Sequence, residues 1–124
     1  MKKRLELQPE MTNVLALDNP QAYRCRVVGY VLERSLLIIE VTSQDESFYA
    51  IFPEVHYYGG IFLWQGATLR TASRDEQFEY MLEQSIVASV GMLYIFEAAD
   101  CTVNVLGGDW IAIFEDLPDR FKSL

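Results

Sequence analysis

Apolar and polar residues recur along the chain with two periods, and the switch between them marks the elements. Over Tyr23–Leu32 the period is two. Tyr23, Cys25, Val27 and Val31 share one face, and Arg24, Arg26, Val28, Tyr30 and Leu32 share the other, as in a strand. Leu36–Thr42 and Phe48–Phe52 predict two more strands, separated by Glu33-Arg34 and Ser43–Glu46 and stopped by Pro53, which cannot donate to a ladder. Val55–Tyr58 and Ile61–Gln65 flank Gly59-Gly60 and predict a hairpin. Gly66 marks a bulge or turn before Ala67–Ala72. Met92–Ala98, Thr102–Leu106 and Trp110–Phe114 predict a meander, with turns at Ala99-Asp100 and Gly107-Gly108. The first twenty residues are interrupted by Pro9, Asn13 and Asp18-Asn19-Pro20, and predict only an edge strand or a wrapped arm.

Between these strands the period becomes 3.6. Phe78, Met81, Leu82 and Ile86 form one helical stripe. Ser73 and Glu76 have the spacing of a capping box, and Gly91 stands where a left-handed C-cap would close the helix. One main helix is therefore expected over residues 74–90.

Strands, one helix, strands: the fold class expected is α+β, a single domain over 1–124 with a mainly antiparallel sheet of six to eight strands. Several strands are apolar on both faces, whereas a one-sided antiparallel sheet alternates. A sheet about 30 Å wide is not covered by a helix about 10–12 Å across. The sheet is thus expected to curl strongly, barrel- or sandwich-like, or a second copy must cover it. For a homodimer the surface is placed within residues 23–72, on Tyr30, Phe62 and Trp64, because aromatic anchors favour interface cores.

Charge changes the picture along the chain. The net charge is −8, and it is unevenly distributed. Residues 1–74 are neutral overall, whereas Asp75, Glu76, Glu79, Glu83, Glu97, Asp100, Asp109, Glu115, Asp116 and Asp119 follow without an intervening Lys or Arg. Such a balance opposes nucleic-acid binding, which needs cationic surface, and binding to anionic membranes. Solubility alone is the plainest explanation. No apolar run reaches the ~20 residues of a membrane helix. Met1-Lys2-Lys3-Arg4 is followed by Glu6, Gln8, Pro9 and Glu10 where a signal peptide would be apolar. With two cysteines and no disulfide framework, a cytoplasmic setting is expected.

Candidate chemistry is sparse. His56, the only histidine, lies in phase with Glu54 on an extended segment and beside Tyr57 and Tyr58, so a base and its orienting carboxylate are possible there. A backbone- or water-bonded histidine is the simpler reading. Cys25 is in phase with Tyr23 and Val27, as a small buried hydrophobe would be. Cys25 and Cys101 could be brought together by neighbouring strands, although a cytoplasmic setting disfavours the bridge. No zinc spacing is present, Asp109, Asp116 and Asp119 lack calcium-loop spacing, and neither glycine pair opens a helix as a phosphate loop does. No cofactor or metal is expected.

Two functions follow as expectations. The first is a non-enzymatic, cytoplasmic interaction protein that presents acids of residues 75–119, namely Glu79, Glu83, Asp109, Glu115, Asp116 and Asp119, to a basic protein partner. An inhibitor, an adaptor or a nucleic-acid mimic would all act in this way. The second is a small-ligand binder or enzyme with its site at Glu54, His56, Tyr57, Tyr58 and Trp64.

Overall fold

A computed structural model of the chain describes residues 2–87 and 91–121. In chain order its strands are β1 (Lys2–Glu6), β2 (Arg24–Val31), β3 (Leu36–Thr42), β4 (Ser47–Phe52), β5 (Tyr57–Gly59), β6 (Leu63–Gln65), β7 (Leu69–Thr71), β8 (Met92–Glu97), β9 (Thr102–Gly107) and β10 (Trp110–Phe114). Among the described residues one α-helix, α1 (Arg74–Glu83), lies between β7 and β8. Pairing is antiparallel throughout. The strands make a six-stranded sheet in the order β1-β10-β4-β3-β2-β6 and a four-stranded sheet in the order β5-β9-β8-β7.

The fold is therefore α+β and mainly antiparallel, and the expected barrel- or sandwich-like curl is met only in part, because the strands form two open sheets. Neither is closed or strongly curled. What makes two open sheets workable is that strands apolar on both faces serve two cores at once. Leu37, Ile39 and Val41 of β3, Phe48, Ala50 and Phe52 of β4, and Tyr94 and Phe96 of β8 fill a core common to both sheets. Aromatic edges knit it: Phe52 meets Tyr94 at 5.1 Å and Phe96 at 6.2 Å, and Trp64 meets Phe96 at 5.0 Å between ring centroids. Each such pair contributes about 0.5–1.5 kcal/mol beyond burial.

The opposite faces are covered separately. Ile38, Ile51 and Ala112, outside the large sheet, receive Leu117 and Phe121 from the segment after β10. Leu93, Ile95, Leu106 and Ala72, outside the small sheet, receive Tyr80 and Met81 of α1 and the following Ile86. This is how one narrow helix suffices: it covers four short strands, and the chain's last described turn covers part of the other six.

Two predicted hairpins are not hairpins. β5 pairs with β9 in the small sheet, whereas β6 pairs with Arg24–Arg26 of β2 in the large one, so the chain crosses between sheets over Gly59–Leu63. The stacked rings of Tyr58 and Phe62, 5.6 Å apart, lie at that crossing. Likewise β9 and β10 do not pair. The chain leaves the small sheet at Gly107-Gly108 and enters the large one between β1 and β4. These glycines answer to close packing rather than to a tight turn. A Cβ on Gly107 would stand 3.0 Å from the Pro53 carbonyl oxygen; the Gly108 amide donates to that oxygen at 2.9 Å, and Tyr94 donates to the Gly108 carbonyl at 2.6 Å.

The helix also differs from expectation, ending at Glu83 rather than near residue 90, of which 88–90 lie outside the described residues. Its C-cap is Gln84, and Ser85 after it lies in the left-handed region at φ 56°. Ser85 donates to the Leu82 carbonyl and Ile86 to the Met81 carbonyl, at 3.2 and 2.9 Å. That bonding pattern, with Ile86 and Met81 packed in the same cluster, is the Schellman motif. It closes the helix with a left-handed residue six positions before Gly91.

Candidate functional site

The helix is fixed on the small sheet from both ends. At its start Ser73 Oγ accepts the Glu76 amide at 3.1 Å, one orphan donor satisfied. The Glu76 carboxylate takes a two-pronged hydrogen bond from Arg70 of β7, at 2.8 and 2.7 Å. That guanidinium, assisted by the Ser73 backbone, holds the Glu76 carboxyl below its usual range. Arg70 also reaches Glu97, at 3.3 Å. Midway, the Gln77 amide donates to the Gly91 carbonyl at 2.9 Å and accepts the Leu93 amide at 3.0 Å, extending the sheet's bonding by one side chain. Tyr80 meets Tyr57 edge-on at 5.9 Å, and burial raises its pKa.

This docking turns α1 by about one residue, roughly 100°, from the expected orientation. Gln77, Tyr80 and Met81 face the sheet, so two residues of the predicted core stripe face outward. Phe78 is 62% and Leu82 63% exposed. With Arg74 they form one i, i+4, i+8 row along the solvent side; Asp75, Glu79 and Glu83 form the adjacent row, and all three acids are exposed. Beside the apolar row runs a groove of about 1410 Å³, lined by Leu7, Pro9, Met81, Ile86, Met92 and Gly107 as well as Phe78 and Leu82. Glu54, His56 and Asp109 line it too.

The predicted acidic residues are thereby divided. Glu79 and Glu83 lie on α1 and Asp109 borders its groove, whereas Glu115, Asp116 and Asp119 belong to the segment that covers the large sheet, on the far side of the common core. The six make two surfaces, not one.

The alternative set is divided as well. Glu54 and His56 both line the groove, and Tyr57 lies under α1, donating to Gln84 at 3.2 Å. Tyr58 and Trp64 face the common core. Tyr58 donates to the Ile61 carbonyl, and burial raises its pKa. The alternation of a strand separates Tyr57 from Tyr58, and the change of sheet removes Trp64 from both. Of the dimer anchors, Phe62 is 65% exposed and Tyr30 partly exposed, its hydroxyl donating to the Val55 carbonyl at 3.1 Å. Trp64 is only 4% exposed. It stands opposite Cys25 on the inner face of the large sheet, so it is core rather than interface.

Both cysteines are free thiols. Cys25 is fully buried, and burial pushes its pKa up to about 12. Among the described residues, no three His, Cys, Asp or Glu side chains are grouped to hold a metal ion, and no helix is long and apolar enough to cross a membrane.

What periodicity missed was the exposure of Phe78 and Leu82. The signal for it was Tyr80, one residue round the helix, which together with Gln77 offers the sheet both a ring and hydrogen bonds. The chain matches no protein-family model, no curated protein and no solved structure.

Proposed function

We propose that this is a non-enzymatic interaction protein, acting in the cytoplasm, whose acidic α1 side receives a basic protein partner. The observation that carries the reading is the exposed row Asp75, Glu79 and Glu83, with no Lys or Arg between Asp75 and Asp119 to offset it. Of the nearby cations, Arg70 is engaged by Glu76 and Glu97, and Arg74 stands at the helix start, away from Glu79 and Glu83. A field of this kind raises the association rate and rejects acidic competitors, contributing more to specificity than to affinity. The second acidic surface, after β10, adds to the long-range field without sharing the contact. Two free thiols suit a reducing compartment.

The test is retention of lysate proteins on the immobilised chain and on its Asp75→Lys, Glu79→Lys, Glu83→Lys variant. A basic protein held by the wild type at low salt, released at high salt and absent from the variant is expected. Equal retention by both, or no basic protein held specifically, contradicts the reading. A two-fold pairing through Tyr30 and Phe62 belongs to the same proposal, because neither lines the groove. Sedimentation equilibrium showing only a 14.3 kDa species at micromolar concentration removes it.

A further inference from the structure

Resting on that reading, we infer that the occupant of the α1 side is an amphipathic basic segment of the partner, with its apolar face on Phe78 and Leu82 and in the groove beside them. The acids alone say only that the partner is positive. The geometry adds that it is also apolar along one line. Two parallel rows run down α1, Phe78–Leu82 and Asp75–Glu79–Glu83, each with one residue per turn, or about 5.4 Å. A helix with apolar residues at i, i+4 and i+7 and Lys or Arg beside them repeats that spacing and presents the complementary pattern.

Size points the same way. At about 1410 Å³ the groove exceeds the roughly 300–1,000 Å³ of small-molecule sites and runs open along the helix, so it suits a length of chain. Leu7, Met81, Ile86 and Met92 line it together with Asp109 and Glu54, two carboxylates that come from outside α1. The occupant thus meets hydrocarbon in the groove, the Asp109 and Glu54 carboxylates that line it, and the acidic row of α1 beside Phe78 and Leu82. A second copy of this chain is the wrong occupant. Its only α-helix among the described residues is α1 itself, and two α1 faces brought together would set acid against acid. Arg74, at the head of the apolar row, places the partner's cations toward Glu79 and Glu83 rather than toward the helix start.

The probe is a fourteen-residue helical peptide of leucine and lysine with leucine on one face, titrated into the ¹⁵N-labelled full chain and followed by NMR. A second peptide carries serine in place of leucine at the same charge. The protein variants are the wild type and F78S/L82S, whose fold is checked by its spectrum, since both side chains are already exposed. Binding of the leucine peptide is expected to shift resonances of α1, Leu7, Met92 and Asp109, and to weaken at least tenfold in F78S/L82S. The serine peptide should bind at least tenfold more weakly than the leucine peptide. If both peptides bind equally, or the variant binds as the wild type does, the groove inference falls and the acidic reading stands. If neither peptide binds at 1 mM, both fall.

Discussion

Cys25 shows what a single residue's surroundings do to its chemistry. It lies opposite Trp64 on the inner face of the large sheet and is fully buried, so its thiolate would have to form without water. An unfolded cysteine ionises near pH 8.5, whereas this one is pushed up to about 12. A raised folded pKa means that the associated stability is complete below about 8.5 and is lost as the pH rises toward 12. Tyr58, Tyr80 and Tyr94 are raised in the same direction by burial, and add their loss above about pH 10. The stability measured by urea unfolding should therefore fall by about 2 kcal/mol between pH 8 and 10, and Cys25→Ala should flatten that fall. Equal falls in both proteins would contradict this account. The burial of Cys25 was legible in the sequence from its phase with Tyr23 and Val27. That of Trp64 was not, because the apolar residues Phe62 and Leu63 just before it show no alternation that turns the indole inward, and its side was set only when β6 paired with β2.

Local pattern specified the elements well and their partners poorly. β3 lies where its β-branched run placed it, and β2, β4, β8 and β10 match within a residue or two. Ser73 caps α1 as its spacing to Glu76 predicts. The two glycine pairs misled, because a glycine needed for close approach, to Val103 at Gly60 and to Pro53 at Gly107, reads in a one-dimensional string like a hairpin turn. Sheet membership is a tertiary choice, and it depends on which edge offers partners rather than on the strand's own residues. The end of α1 was hidden for a related reason: the left-handed residue that closes it is a serine. Ser85 holds φ 56°, a conformation that costs an L-residue about 1 kcal/mol and glycine almost nothing. Ser85→Gly should raise stability by about 0.5–1 kcal/mol and the Tm by several degrees. Its side chain is exposed, so no contact is lost. A lower Tm in calorimetry would show that the Schellman geometry does not close the helix.

At the scale of the molecule, the two-layer arrangement converts an apparent excess of apolar strand surface into a shared core with two outer coverings. One covering is α1, and it carries the proposed contact surface. The sheet takes Gln77, Tyr80 and Met81, so Phe78 and Leu82 are left to solvent beside an acidic row. The whole-chain charge of −8 attracts a basic partner from any direction, and α1 with its groove combines that attraction with an apolar line. The position of contact is therefore the central claim. It is tested most directly by photo-crosslinking in lysate, with a benzophenone side chain in place of Leu82 and, separately, of Asp116 on the opposite acidic surface. The account predicts a defined adduct with a basic protein from position 82, suppressed by high salt, and none from position 116. Adducts from 116 alone, or equally from both positions, would contradict it.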